Sequence, residues 1–265
     1  MKHLICGLIM AAIFGCKAQD QTHFFNSFDE TKIAFTDEGN GDAILLLHGF
    51  INTRKNWEKS VLKKELLEKG YRVIAPDLRG NGDSDKPQSD IAYQDFAELK
   101  DIIALMDHLK IKQYRAVGYS RGAIILSKLL TMDERITRAT IGGVGSDFTN
   151  PNWEIPPAFS RAFSGEDKLT KMTEGAVNYA KSINADLKSL SLQQKYQPTT
   201  TKQECATINI PLMIISGRQD TSNGNREALQ KMISKSFLKY VEGDHNNTYK
   251  QENFSKAVIQ FLEGK

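Results

Sequence analysis

Cysteine is scarce in this chain of 265 residues: there are three, Cys6, Cys16 and Cys205. With the first two near the N-terminus, Cys205 has no partner for a disulfide framework and is expected as a packed core residue. Charge of one sign is also missing. The formal net charge is +3, and Lys and Arg alternate with Asp and Glu rather than forming blocks, which gives nucleic acid nothing to bind. There is no internal repeat and no low-complexity segment. The apolar run at 4–15 has 12 residues, too short to span a bilayer as a mature helix. Histidines number five, with no H-x-x-x-H pair and no Cys/His cluster, so no metal site is expected. Gly80-Asn81-Gly82 lacks the Lys-Ser/Thr and the dinucleotide contexts of phosphate-cradling loops, so no cofactor is expected either. What remains, 40% hydrophobic and 25% charged, is an ordinary globular composition, enough for one large α/β domain or two small ones.

The N-terminus stands apart. Met1-Lys2-His3 is a short basic start, residues 4–15 are apolar, and Lys17-Ala18-Gln19-Asp20-Gln21 turns polar. That is the layout of a secretory leader. The step Gly15-Cys16 at its end resembles the lipobox of bacterial lipoproteins, in which the cysteine is acylated and becomes the new N-terminus. The resemblance implies a signal peptide at 1–15, a lipid on Cys16, and an exported lipoprotein on a periplasmic or outer-membrane face, touching the membrane through its anchor. The alternative is a leader cut after Ala18 and a secreted, soluble product.

A polar linker at 16–25 is followed by alternation of strand-like and helix-like runs. Residues 25–38 read as two strands around a turn. Ala43-Ile44-Leu45-Leu46-Leu47 is a continuous apolar run, as in a strand buried on both faces of a parallel sheet. Helices are expected at 57–69 and 93–109, the second with Phe96, Leu99, Ile102, Ile103, Met106 and Leu109 on one stripe. Strands are expected at 71–75, 115–117, 136–143, 212–217 and 237–241, and further helices at 123–130, 225–233 and 254–262. Between 146 and 206 no buried strand appears, and a small helical cap is expected there, dividing a core at 26–145 from its second part at 207–265. Strands alternating with helices imply right-handed crossovers and a mostly parallel, doubly wound sheet.

The most informative stretch is Gly118-Tyr119-Ser120-Arg121-Gly122, between a short strand and a helix. Strand, G-x-S-x-G, helix is the nucleophile elbow, in which a serine sits on a strained turn with its hydroxyl exposed. The glycines leave room where backbone approaches closely. A serine hydroxyl needs an adjacent base. Of the five histidines, His3 falls in the leader, His23 in the linker and His108 late in a helix on the polar side. His48 opens a loop, where a structural hydrogen bond is expected of it. His245, in the loop after the last strand, remains.

His48-Gly49-Phe50, Asp77-x-Arg79-Gly80-x-Gly82-x-Ser84, the elbow, Ser216-Gly217-x-x-Asp220 and Gly243-Asp244-His245 follow one another, each at a strand's C-terminal end. In this the chain resembles the α/β-hydrolase superfamily over roughly 26–265. The resemblance implies Ser120 as nucleophile, His245 as base and Asp220 as the acid that orients it, with Asp147 and Asp244 as rivals for the third place. It implies an oxyanion hole from the backbone N–H groups of Phe50 and Arg121, leaving the Arg121 side chain free to pair with an acid. The run 77–84 is expected to be structural. Trp153, Phe159, Phe163 and Met172 either line an acyl or aryl pocket or pack the cap onto the sheet. The implied activity is that of a serine hydrolase on a small ester-like substrate, without cofactor. The fold also hosts lactonases, carbon–carbon bond hydrolases, peptidases and cofactor-free peroxidases, and a non-catalytic binding protein on the same scaffold is the further alternative.

Overall fold

The computed structural model describes residues 21–265. The expectations for the leader at 1–15 and for Cys16 lie outside the described residues. Eight strands make one sheet. The chain enters it as an antiparallel hairpin, β1 (His23–Asn26) and β2 (Lys32–Glu38). β1 corrects the expected linker, because His23, Phe24 and Phe25 already belong to the sheet. Phe25 is buried against Phe35 and stacks on His108, and this apolar contact draws the strand onto the domain.

β3 (Ala43–Leu47), β4 (Arg72–Pro76), β5 (Tyr114–Tyr119), β6 (Ile136–Gly142), β7 (Leu212–Gly217) and β8 (Ser236–Val241) form the parallel part. The spatial order is β1-β2-β4-β3-β5-β6-β7-β8, with β2 antiparallel to β4. All five residues of β3 are buried, which is why its sequence carries no polar alternation.

Helices cover both faces. α1 (Val61–Glu68) packs on one face. α2 (Ala97–His108) and α3 (Arg121–Leu129) pack on the other. Two helices start later than their apolar spacing suggests. Residues 54–59 form a 3-10 turn, and Ser60, in extended conformation, accepts from Leu62 N–H to cap α1. Asp95 and Phe96 have φ of 50° and 59°, so α2 cannot begin before Ala97, and Phe96 leaves the buried stripe for the surface.

The segment expected as a cap is helical: a 3-10 turn at Ser146–Thr149, then α4 (Ile155–Ser164), α5 (Glu174–Ser182), α6 (Leu187–Lys195) and α7 (Lys202–Thr207). Pro156 and Pro157 fall in the first turn of α4, where a missing N–H costs nothing, and Gly165 at φ 81° ends it. Asp186 caps α6 by accepting from Ser189 N–H at 2.7 Å. Ile51, Phe163, Val177, Ala180 and Leu190 make a small core of their own beneath these helices. α8 (Arg226–Met232) and α9 (Glu252–Leu262) complete the chain, α9 lying on the α1 face. Among the described residues no helix is long and apolar enough to cross a membrane.

Candidate active site

The site sits at the C-terminal edge of the parallel strands. β5 ends at Tyr119 and α3 begins at Arg121, which leaves Ser120 alone to reverse the chain. Its φ of 54° and ψ of −123° are sparsely populated for a residue with a side chain. Such strain costs on the order of 1–3 kcal/mol and persists only where neighbours enforce it. Ser120 N–H donates to Gly142 O at 2.7 Å, and its carbonyl accepts from Ala123 N–H at 2.9 Å. The flanking glycines are required sterically. A Cβ on Gly118 would lie 2.4 Å from Gly122 O, and one on Gly122 would lie 2.4 Å from Leu47 O.

From that turn the side chains of three distant residues form one line. Ser120 Oγ lies 2.9 Å from His245 Nε2, and His245 Nδ1 lies 3.0 Å from Asp220 Oδ2. His245 comes from the loop after β8 and Asp220 from the loop after β7. The His245 side chain is 25% exposed and that of Asp220 not at all, so the line runs from solvent inward. Ser222 N–H donates to Asp220 Oδ1 at 2.9 Å, and Arg226 Nη2 lies 3.1 Å from the same oxygen. Burial pushes the Asp220 carboxyl up. The hydrogen bond and charge of His245, the Ser222 N–H and Arg226 outweigh it and hold the carboxyl below the usual range. Asp220 is therefore an anion, able to accept from Nδ1–H and leave Nε2 facing the serine as the acceptor. Tyr119, which sequence reasoning did not single out, donates its hydroxyl to the His245 carbonyl at 2.9 Å.

The backbone N–H groups of Phe50 and Arg121 have no hydrogen-bond partner among the described residues, and both residues line the same cavity as Ser120. The Arg121 side chain turns away into the protein. It makes two hydrogen bonds to Glu98, at 2.8 and 2.6 Å, and one to Gln193 O at 2.8 Å. Both side chains of the pair are under 5% exposed.

The remaining motif residues are structural. His48 accepts from Leu78 N–H at Nε2 (3.1 Å) and donates from Nδ1 to Gly49 O (2.8 Å). Burial lowers its pKa and keeps the ring neutral. Asp77 pairs with buried Arg54 and accepts from Asp83 N–H at 2.8 Å, while Arg79 is held by Asp101 and Asp29. A Cβ on Gly82 would strike the Asp77 carboxylate, so this run makes the turn beneath the site. Asp244 caps its own loop by accepting from Asn246 and Asn247 N–H, and Asp147 makes no hydrogen bond to His245. Cys205 is buried, and burial pushes its thiol up to about 11, which makes it inert.

Two cavities open from the serine. One, about 420 Å³, is lined by Ile124, Trp153, Ile155, Phe159 and Met172 together with Phe50, Arg121 and His245. Of the four aromatic and Met residues expected either to line a pocket or to pack, Trp153, Phe159 and Met172 thus line one. Phe163 packs, buried against Phe50. The other cavity, about 750 Å³, shares Phe50, Ser120, Phe159, Met172 and His245 and is otherwise lined by different residues, Ile51, Asn52, Asn56 and Lys59 among them. Among the described residues no cluster of three or more His, Cys, Asp or Glu could hold a metal ion.

Comparison with known proteins agrees with this architecture. The family described as alpha/beta hydrolase fold matches residues 42–154. Epoxide hydrolase 3 of Siraitia grosvenorii is 40% identical over 94 residues, 36% of this chain and 29% of that protein. A putative non-heme chloroperoxidase of Synechocystis is 39% identical over 111 residues, 41% of this chain and 39% of that protein. The chain thus spans well under half the length of these relatives. An esterase from Exiguobacterium antarcticum superposes with a TM-score of 0.74 over 92% of this chain and 100% of that one, at 20% identity, a likeness of fold. The chain has the α/β-hydrolase fold. Its Ser120, His245 and Asp220 stand in the arrangement of a serine-hydrolase-type enzyme.

Proposed function

We propose that this chain is an acyl-transfer hydrolase acting on small carboxylic esters, cyclic or open, through an acyl-enzyme on Ser120. The observation that carries the reading is the unbroken line from Ser120 Oγ through His245 to Asp220, at 2.9 and 3.0 Å. In the first half-reaction His245 Nε2 takes the hydroxyl proton as Oγ bonds to the acyl carbon. The imidazolium, stabilised by Asp220, then protonates the departing alcohol. In the second half-reaction water, deprotonated by the same imidazole, attacks the acyl carbon, and Oγ leaves with the proton. The N–H groups of Phe50 and Arg121 are assigned to the oxyanion, each contributing about 3 kcal/mol to the barrier. The residues themselves supply nucleophile, base and acid, and the reading calls for no cofactor.

Among the names carried by the relatives, epoxide hydrolase is the one the residue at position 120 argues against. A serine oxygen opening an epoxide forms an alkyl ether, which offers water no carbonyl to attack, and the cycle would stop there. At an acyl carbon the same oxygen forms an ester that water can cleave. The chloroperoxidase relative favours a second reading of the same site, in which hydrogen peroxide replaces water as acyl acceptor and releases a peracid.

The test is hydrolysis of 4-nitrophenyl esters of graded chain length together with fluorophosphonate labelling. Ser120→Ala is expected to lose activity by a factor on the order of 10⁶ and to lose the label. Full activity in that variant would sink the proposal. Peracid formation on adding peroxide, measured against hydrolysis, separates the two acceptors. Export remains a proposal resting on the leader sequence alone. Mass spectrometry of the mature N-terminus distinguishes a lipid on Cys16 from cleavage after Ala18.

A further inference from the structure

Resting on the acyl-transfer reading, we infer that the substrate carries a carboxylate, and that Lys59 and Lys250 receive it in the larger of the two cavities. That cavity opens from Ser120 and His245, yet no Asp or Glu lines it. Besides Ser120, His245, Tyr179 and Tyr249, its polar lining is cationic and amide: Lys59 and Lys250, with Asn52, Asn56 and Asn246. Neither lysine forms an ion pair with any described residue. Lys250 Nζ has a single weak contact, to Asn247 Oδ1 at 3.5 Å, and lies 5.4 Å from the centre of the Tyr249 ring.

The two lysines are brought together by a fixed contact between their chain neighbours. Ser60 Oγ donates to the Tyr249 carbonyl at 2.6 Å, and both residues are buried. Trp57 packs edge-on against the Tyr249 ring at 6.0 Å. The end of the 3-10 turn carrying Lys59 and the loop carrying Lys250 are thus tied to each other and to the core. Both lysines line the one cavity and no described acid pairs with either, so an anion entering it is attracted by two positive charges. The other cavity differs in kind. Its arginine, Arg121, is already engaged by Glu98, and its lining includes the carboxylate of Asp147. Ile124, Trp153 and Ile155 give it an apolar wall beside polar Gln194, Gln197 and Asn223. The geometry therefore divides the substrate into an apolar part and an acidic part, with the scissile carbonyl between them.

Two pairs of esters test this: mono-4-nitrophenyl glutarate against 4-nitrophenyl valerate, and 4-acetoxybenzoate against its methyl ester. They place the carboxylate on the acyl and on the alcohol side respectively. In at least one pair the acid is expected to show kcat/KM about tenfold or more above its neutral counterpart, the scale of one charge-assisted hydrogen bond. Lys59→Gln/Lys250→Gln is expected to abolish that preference through KM while leaving kcat on the neutral ester unchanged. Neutral esters preferred in both pairs, or a preference that survives the double variant, would overturn the inference. A binding measurement separates this from the chemistry. Monomethyl glutarate is titrated calorimetrically into Ser120→Ala and into the same variant carrying both lysine changes. Lysine-dependent binding without any ester turnover by the unaltered protein would defeat the acyl-transfer reading and leave the carboxylate site standing. Turnover of neutral esters with no lysine-dependent binding would do the reverse.

Discussion

The hydroxyl of Tyr119 donates to the main-chain carbonyl of His245 at 2.9 Å, so the residue preceding the nucleophile holds the loop that carries the base. The ring is packed as well, against Tyr249 at 5.1 Å and Phe254 at 5.9 Å. Burial raises the Tyr119 pKa far above neutrality and keeps the phenol protonated as a donor. Tyr119→Phe retains the packing and deletes one hydrogen bond. Stability should fall by only about 1 kcal/mol. The rate should fall by about tenfold or more, because a base displaced from its serine loses proton-transfer geometry. Urea denaturation and steady-state kinetics on one preparation check both halves. A variant as active as the parent would show that the loop needs no such tie.

The pair of Arg121 and Glu98 is a different kind of constraint, since both side chains are buried and charged. Glu98→Gln leaves the guanidinium without its counter-ion and is expected to destabilise the fold by about 3–5 kcal/mol. Glu98→Gln combined with Arg121→Met should recover most of that loss, because an apolar side chain has no charge to strand. If the pair also fixes the main chain at position 121, the double variant will regain stability without regaining kcat. Recovery of both would limit the pair to stability.

Two glycines offer a contrast that separates space from backbone angle. Gly122→Ala would place a methyl 2.4 Å from Leu47 O, against backbone that cannot yield without disturbing β3. This variant is expected to fold poorly or not at all. Gly165→Ala meets nothing within 4 Å, but φ there is 81°. Its cost should be about 1 kcal/mol, that of a left-handed conformation in a residue with a side chain. Thermal unfolding of the two proteins gives the comparison directly.

Stability should decline on acidification. Burial pushes Asp133 up, but its hydrogen bonds from Arg135 and Tyr114 outweigh that and hold it below the usual range, and Asp220 is depressed as described. For a depressed carboxyl the stabilisation is complete above the unfolded-state value and drains away as pH falls through the lower folded-state value. The contribution of these two carboxyls is thus expected to be flat between about pH 7 and pH 5 and to drop below about pH 4, the unfolded value being about 3.9. Buried neutral His48 makes folding less favourable as pH falls through its unfolded value, while Asp101, raised by burial to about 6, acts in the opposite sense. Asp133→Asn should melt lower at neutral pH and show a shallower acid drop. A melting temperature that rises below pH 4 would contradict this.

Much of the site was legible because tight turns constrain sequence locally. The glycines around Ser120 are demanded by atoms within a few residues of it or on the next strand, and the strand-end motifs appear in chain order for the same reason. The helices were less legible at their starts. Apolar spacing carries no sign of the positive φ at Asp95 and Phe96, which a side chain adopts only under tertiary pressure. That Arg121 would turn to an acid was expected, but which acid could not be read. Glu98 sits among other charged residues of a helix, and the second acceptor is a main-chain carbonyl, which has no letter in the sequence. The larger cavity was hidden too, since its wall joins residues near 52–59, 175–179 and 246–250.

α6 reaches the interior through more than apolar contact. The Gln193 carbonyl accepts from Arg121, and the Gln193 side chain donates to Arg79 O at 2.6 Å. The inserted helices therefore supply ligands to the turn beneath the nucleophile and to the first residue of its helix. Transplanting another protein's insertion onto this sheet would strip two polar partners from beneath the catalytic floor, so chimeras meant to exchange specificity must carry Gln193 with its helix.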